Sequence, residues 1–216
     1  MFPLYDTLRS RRFPLVNWML IILNGAAFYY ELNLGGEGLF RFIHTWGLIP
    51  VQFTSNPAVT WPTLFTSMFL HGGWFHILSN MWILVIFGDN VESRMGSLRY
   101  FIFYILSGIV AALLQTYLSL GSNTPVIGAS GAIAGVLGAY LILFPRSRIA
   151  SLVPILFIFT IVEIPAVLFL GFWFVSQLFS GWRALQGADA GAVAWWAHIG
   201  GFIFGTVAVH LFAKRH

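Results

Sequence analysis

Several polar side chains of types that carry acyl-transfer chemistry stand inside long apolar runs of this 216-residue chain. Ser130 lies in Gly128-Ala129-Ser130-Gly131, His198 in Ala197-His198-Ile199-Gly200-Gly201, and His71, His76, Ser79 and Asn80 in or beside the run 66–88. A serine hydroxyl becomes a strong nucleophile when a neighbouring base takes its proton, and histidine is the commonest such base. The tetrahedral oxyanion that follows needs N–H donors, which His76, Asn80 and the free backbone N–H groups of a helix start can provide. Each signal has a plainer reading when taken singly. The glycines around Ser130 suit helix packing, and a lone interior histidine is more often hydrogen-bonded structure than a base.

The elements that must carry these residues are membrane helices. Apolar residues make up 58% of the chain and charged residues 8%, against roughly a quarter charged in a soluble domain. Runs of spanning length lie at about 14–31, 66–88, 99–119, 129–144, 164–179 and 194–213. The expected architecture is therefore all-α, a polytopic bundle of six transmembrane helices. Depth within the bundle follows from the helical rise of about 1.5 Å per residue. Counted from Pro145, Ser130 stands about 22 Å up; His198 is about 24 Å above Lys214, and Asn80 and His76 are about 21 and 27 Å above Arg94. Three helices thus aim polar groups at one layer, in the outer half of a hydrocarbon core about 30 Å thick. His76 and Asn80, four residues apart, share a helix face. The run at 129–144 is short, so Ser130 sits at a buried helix N-terminus, with free N–H groups and the positive dipole end. Gly128, Gly131, Gly135 and Gly138 keep that helix slim, and Ala197, Gly201 and Gly205 form a small-residue ridge on the last one, so the two can approach closely.

An even number of spans puts both termini on one side. Arg9, Arg11, Arg12, Arg94, Arg99, Arg146, Arg148, Lys214 and Arg215, nine of the 11 basic residues, then share one face, leaving only Arg41 and Arg183 opposite. The positive-inside rule makes that face cytoplasmic, N-in and C-in. The whole of 1–216 reads as one membrane domain with a short cytoplasmic segment, about 1–13. Phe13–Tyr30 is long for a signal-peptide core and is read as an uncleaved first span. Leu152–Leu178 is too long for one span and too short for two. Leu152–Ile161 is read as an interfacial or re-entrant stretch, with the fifth helix starting near Ile164. Segment 180–193, rich in Gly and Ala, reads as a mobile loop.

Other chemistries find less support. There is no cysteine, which excludes disulfides and thiolate chemistry. His71 and His76, five apart, do not share a face as metal ligands would, and no inward carboxylate accompanies them, so neither a metal nor a cofactor is expected. The net charge of +4 is distributed for topology rather than as a nucleic-acid patch. Asp6, Asp89, Glu92 and Glu163 fall toward the cytoplasm and Glu31, Glu37 and Asp189 in outer loops. With no acid at the depth of Ser130, a Ser–His dyad is expected rather than a triad.

At these residues the sequence resembles the rhomboid family of intramembrane serine peptidases. The matching stretches are His71-Gly-Gly-Trp-Phe-His76-Ile-Leu-Ser-Asn80, Glu92-Ser-Arg-Met-Gly96, Gly128-Ala-Ser130-Gly-Ala-Ile-Ala-Gly and Ala197-His198-Ile-Gly-Gly201. They cover about residues 60–210 in the family's order. The resemblance implies a compact six-helix bundle cleaving single-pass membrane proteins in or near their transmembrane segments. Ser130 would be nucleophile and His198 base, then acid for the leaving amine; His76, Asn80 and the Ser130 N–H would form the oxyanion hole, and His71 would be structural or hold cavity water. Segment 180–193 and the fifth helix would correspond to a mobile cap and lateral gate. Two positions depart from patterns seen in the family. Ala134 replaces an aromatic that stacks on the histidine, so His198 needs another support, and Trp61-Pro62 replaces a Trp-Arg pair that anchors the first outer loop.

Two further hypotheses compete with an active peptidase: a non-catalytic rhomboid-like protein that binds membrane helices, and a small transporter or channel. The first would typically lack Ser130 or His198, and the second would need polar groups continuing toward the cytoplasm. The expected partners are transmembrane protein substrates and membrane lipid, not nucleic acid, for a chain able to act as a monomer. The short chain suggests a bacterial inner membrane.

Overall fold

Glycines, prolines and buried polar residues decide where the apolar runs break into elements. The computed structural model describes residues 1–8, 10, 12–155, 158–187 and 193–214. The chain runs β1 (Phe2–Asp6), α1 (Leu15–Leu32), α2 (Gly35–Trp46), α3 (Pro50–Ser55), α4 (Pro57–Thr60), α5 (Thr63–Thr66) and a 3-10 turn (Ser67–Phe69). It continues through α6 (Trp74–Met95), α7 (Ser97–Leu118), α8 (Ser130–Leu143), β2 (Arg148–Ile155), β3 (Ile158–Pro165), α9 (Ala166–Leu185) and α10 (Trp195–Phe212). Among the described residues, α1, α7 and α10 are each long and apolar enough to cross a membrane. The segment from α5 through α6 reaches that length and apolarity only as two helices bent by 94°, the geometry of a broken span or of a re-entrant loop. Large apolar side chains cover the outside, among them Ile22, Leu78, Phe172, Val207 and Leu211, the reverse of a water-facing surface.

The centre of the bundle is α8, whose residues Gly131 through Tyr140 are all buried, enclosed mainly by α10, α7 and α6. Backbone meets backbone along the α8–α10 seam. A Cβ on Gly201 or Gly205 would collide with the carbonyl oxygen of Gly131 or Gly135, and one on Gly138 with that of Phe202. Such close approach is the packing device of membrane helices, where apolar burial between helices gives little drive.

A buried carboxylate locks the first helix to the bundle. No side chain caps α1 from within; instead Glu92 of α6 accepts the Val16 and Asn17 N–H groups at 3.1 and 2.8 Å and the Ser97 hydroxyl at 2.6 Å. An anion at a helix N-terminus satisfies orphan donors and meets the positive dipole end. Asn17 in turn donates to the Leu84 carbonyl and accepts from Tyr100. This gives the Glu92–Gly96 stretch a structural role, with Gly96 turning at φ +83° between α6 and α7.

The expected all-helical chain needs correction at one end. β1, β2 and β3 form an antiparallel sheet in that order, with Phe2 opposite Leu152 and Arg148 opposite Pro165. Described residues of Leu152–Ile161 are therefore strand rather than helix, and α9 starts at Ala166. Its β-branched and aromatic residues, interrupted by Pro154, favour strand over helix. β1 lies along α6: the Pro3 carbonyl accepts Trp82 Nε1–H at 2.7 Å, and Asp6 accepts Asn90 Nδ2–H at 2.9 Å and the Tyr140 hydroxyl. Burial outweighs these bonds and pushes the Asp6 carboxyl up to about 6.

Residues 32–60, which link the first two apolar runs, contain the short helices α2 to α4. Backbone contacts anchor this region without an arginine: Leu48 bridges Val126, Val51 N–H reaches the Ser122 carbonyl at 3.1 Å, and Thr66 Oγ1 donates to the Trp46 carbonyl at 2.6 Å. Of the expected mobile loop, residues 188–192 lie outside the described residues, as do Arg9, Arg11, Asp189 and Arg215.

Candidate active site

Ser130 is the first residue of α8, so its N–H has no intrahelical acceptor. The residue before last, Gly128, has φ +118°, a conformation that disfavours side chains, and a Cβ there would lie 2.6 Å from His76 Nε2. Glycine thus lets the chain turn into α8 directly beneath His76. Across the glycine seam, His198 on the first turns of α10 places Nε2 2.9 Å from Ser130 Oγ. The start of α10 is held from α7, where Gln115 Oε1 accepts the Trp196 and Ala197 N–H groups at 3.1 and 3.2 Å. The other face of the imidazole meets α9: His198 Nδ1 is 2.8 Å from Gln177 Oε1. Trp173 and Trp195 flank the ring, each with its centroid 6.1 Å away.

The donors opposite come from α6 and the turn before it. Asn80 Nδ2 lies 3.0 Å from His71 Nε2, and His71 Nδ1 is 3.3 Å from the Phe69 carbonyl. A carbonyl only accepts, so His71 is protonated on Nδ1 and takes one Asn80 proton on Nε2. This leaves the second amide proton of Asn80 available. His76 Nδ1 faces the Gly72 N–H at 3.4 Å, an arrangement that puts the imidazole proton on Nε2 as a donor. His76, Ser79, Asn80, Gln115, Ser130 and His198 line one cavity of about 890 Å³.

Of the residues singled out from the sequence, Ser130 and His198 meet directly, His76 and Asn80 share their cavity, and Gly128, Gly131 and Gly201 make the close approaches described. His71 is buried but lies ahead of α6, in the turn that Gly72 and Gly73 create, so it never shares a helix face with His76. Glu31 was expected in an outer loop; it is instead in the last turn of α1, 2% exposed, and its carboxylate accepts the His71 N–H at 3.2 and 3.3 Å. An acid therefore does lie near this layer, against His71 rather than His198. Sequence reasoning missed Gln177, Gln115 and this role of Glu31. Each is a polar residue within an apolar run, which is the signal that could have found them.

The family model for the rhomboid domain matches residues 58–215. The chain belongs to the rhomboid family. Over 158 residues the chain is 29% identical to "Presenilin-associated rhomboid-like protein, mitochondrial" of Homo sapiens and of Bos taurus, covering 71% of this chain and 39% of each relative. "RHOMBOID-like protein 1" of Arabidopsis thaliana is 36% identical over 95 residues, 44% of this chain and 24% of that protein. "Rhomboid-like protein 11, chloroplastic" of the same plant is 34% identical over 114 residues, 52% of this chain and 40% of that protein. The matched stretches thus span 40% or less of these curated relatives. Family and apolar helices together make the chain an integral membrane protein. The organelles in the relatives' names lend a bacterial inner membrane no support.

Proposed function

We propose that this rhomboid domain is an intramembrane serine endopeptidase that hydrolyses peptide bonds in or near transmembrane segments of single-pass membrane proteins. The observation that carries the reading is the 2.9 Å contact of Ser130 Oγ with His198 Nε2 at the wall of a cavity among apolar helices. In the proposed reaction His198 Nε2 takes the hydroxyl proton as Ser130 Oγ attacks the scissile carbonyl carbon. The carbonyl oxygen becomes an oxyanion facing the Ser130 N–H, Asn80 Nδ2 and His76 Nε2. Collapse of the intermediate breaks the C–N bond, and the imidazolium returns its proton to the leaving amine. Water then repeats the sequence on the acyl-enzyme.

Six spans fit this reading when α8 and α9 are counted with the helices above, with both termini on the side that carries nine of the 11 basic residues. At about 21 Å, α8 is shorter than a hydrocarbon core of about 30 Å, which keeps Ser130 below the outer surface. The substrates are membrane proteins whose helices contain Gly, Pro or other weak helix formers near the cleavage point, because a peptide bond must leave the helix before its carbonyl is reachable.

Purified protein in detergent with a single-pass test substrate provides the test. Wild type cleaves, while Ser130→Ala and His198→Ala, folded by thermal unfolding, do not. Cleavage that survives both substitutions would refute the assignment, and a folded wild type inert toward a panel of single-pass substrates would favour a helix-binding role without catalysis.

A further inference from the structure

We infer that Gln177 is the positioning residue of the dyad, its side-chain oxygen holding His198 in the tautomer that leaves Nε2 free to take the Ser130 proton. The inference rests on the peptidase reading above and adds a third helix to it. Gln177 projects from α9, whereas Ser130 begins α8 and His198 lies on α10. Its side chain is buried, 6% exposed, so its bonds compete little with water.

The orientation of the amide follows from its neighbours. Gln177 Nε2 is 3.3 Å from the Trp173 carbonyl and 3.0 Å from Ser176 Oγ. The Trp173 carbonyl can only accept, so the nitrogen must face it and the oxygen must face His198. An amide oxygen can only accept as well. At 2.8 Å, His198 Nδ1 therefore carries the proton and donates to Oε1. A neutral imidazole has one N–H, which leaves Nε2 as an acceptor, 2.9 Å from the Ser130 hydroxyl. In a triad a carboxylate performs this orientation. Here an uncharged amide performs it and adds no buried ion to the bundle. Ala134, four residues after Ser130, offers no stacking ring, and the flanking tryptophans have centroids 6.1 Å from that of His198. The hydrogen bond to Gln177 Oε1, together with the Ser130 contact, then fixes the ring's rotation about χ2.

Two measurements on the purified full chain test this. Nitrogen-15 spectra of labelled histidine, with the His198 signals identified by their loss in His198→Ala, report the tautomer without any substrate. Wild type and Ser130→Ala are expected to show His198 protonated at Nδ1, and Gln177→Met, of matching length but with no acceptor oxygen, a mixture or the opposite tautomer. Steady-state cleavage of the single-pass substrate is expected to show kcat about ten-fold lower in Gln177→Met, the loss of one hydrogen bond, with KM unchanged. Gln177→Glu, which keeps an acceptor oxygen, restores kcat to within about three-fold of wild type. Wild-type His198 protonated mainly at Nε2 would overturn the inference, as would wild-type kcat in Gln177→Met or a loss confined to KM. If Gln177→Met loses its thermal transition, Gln177→Leu carries the same comparison. A wild type with the expected tautomer but no cleavage would overturn the peptidase reading and leave the role of Gln177 in orienting His198 standing.

Discussion

Replacing Gly201 by alanine tests whether backbone contact between α8 and α10 sets the Ser130–His198 distance. Gly201 lies one turn beyond His198, and a Cβ there would collide with the Gly131 carbonyl oxygen while standing 3.0 Å from its carbon and 3.3 Å from the Gly135 nitrogen. These atoms belong to the main chain of α8 and cannot rotate aside. Restoring ordinary contact distances requires the two helices to part by roughly 1 Å. That takes Ser130 Oγ and His198 Nε2 from 2.9 Å to about 4 Å, beyond hydrogen-bond reach. A misplacement of this size costs on the order of a hundred-fold in rate, and the overpacked seam loses about 1–3 kcal/mol of stability. Gly25→Ala is the control, since a Cβ there meets nothing within 4 Å and a helix interior gains about 0.8–1 kcal/mol from the exchange. Cleavage of the single-pass substrate and thermal unfolding in detergent give both quantities. Gly201→Ala with wild-type kcat and an unchanged unfolding temperature would refute the reasoning.

Asn80→Ala removes one donor from the proposed oxyanion position and is expected to lower kcat about 10²-fold; a change in KM alone would argue against that role. Glu92→Gln keeps the side-chain shape but removes the charge at the start of α1, lowering stability by about 1–3 kcal/mol, or several degrees of unfolding temperature. Equal unfolding temperatures would show that the carboxylate is not what caps α1. Asp6 makes stability depend on pH in a predictable direction. Its carboxyl titrates near 3.8 unfolded and about 6 folded, so between those values the folded state binds more protons and stability falls as pH rises, levelling off above about 6. The difference in unfolding temperature between wild type and Asp6→Asn should follow that slope across pH 4–6; a difference independent of pH would mean that Asp6 does not titrate in this window.

The residues of the site were legible because a helix converts spacing into height. Ser130, His198 and Asn80 could be placed in one layer from their distances to Pro145, Lys214 and Arg94 before any contact was known. The conversion failed where the backbone is not helical. His71 precedes the start of α6 at Trp74, so helical spacing to His76 had no meaning. Partners between helices were also beyond reach. Gln177 is 21 residues from His198, and nothing in that separation shows that α9 turns this side chain, rather than Phe172 or Val175, toward α10. The sheet was hidden for two reasons: a short apolar run looks alike as strand or buried helix, and its first strand comes from the far end of the sequence.

The pairing of Phe2 with Leu152 also has a consequence in time. β1 is synthesised before its partner strand, and 152 − 2 = 150 residues separate the two. At translation rates of about 5–20 residues per second, β2 follows roughly 8–30 s later. Over that interval α1 must also wait for Glu92 of α6 to cap it. β1 is therefore completed only long after it is made, when β2 arrives to pair with it.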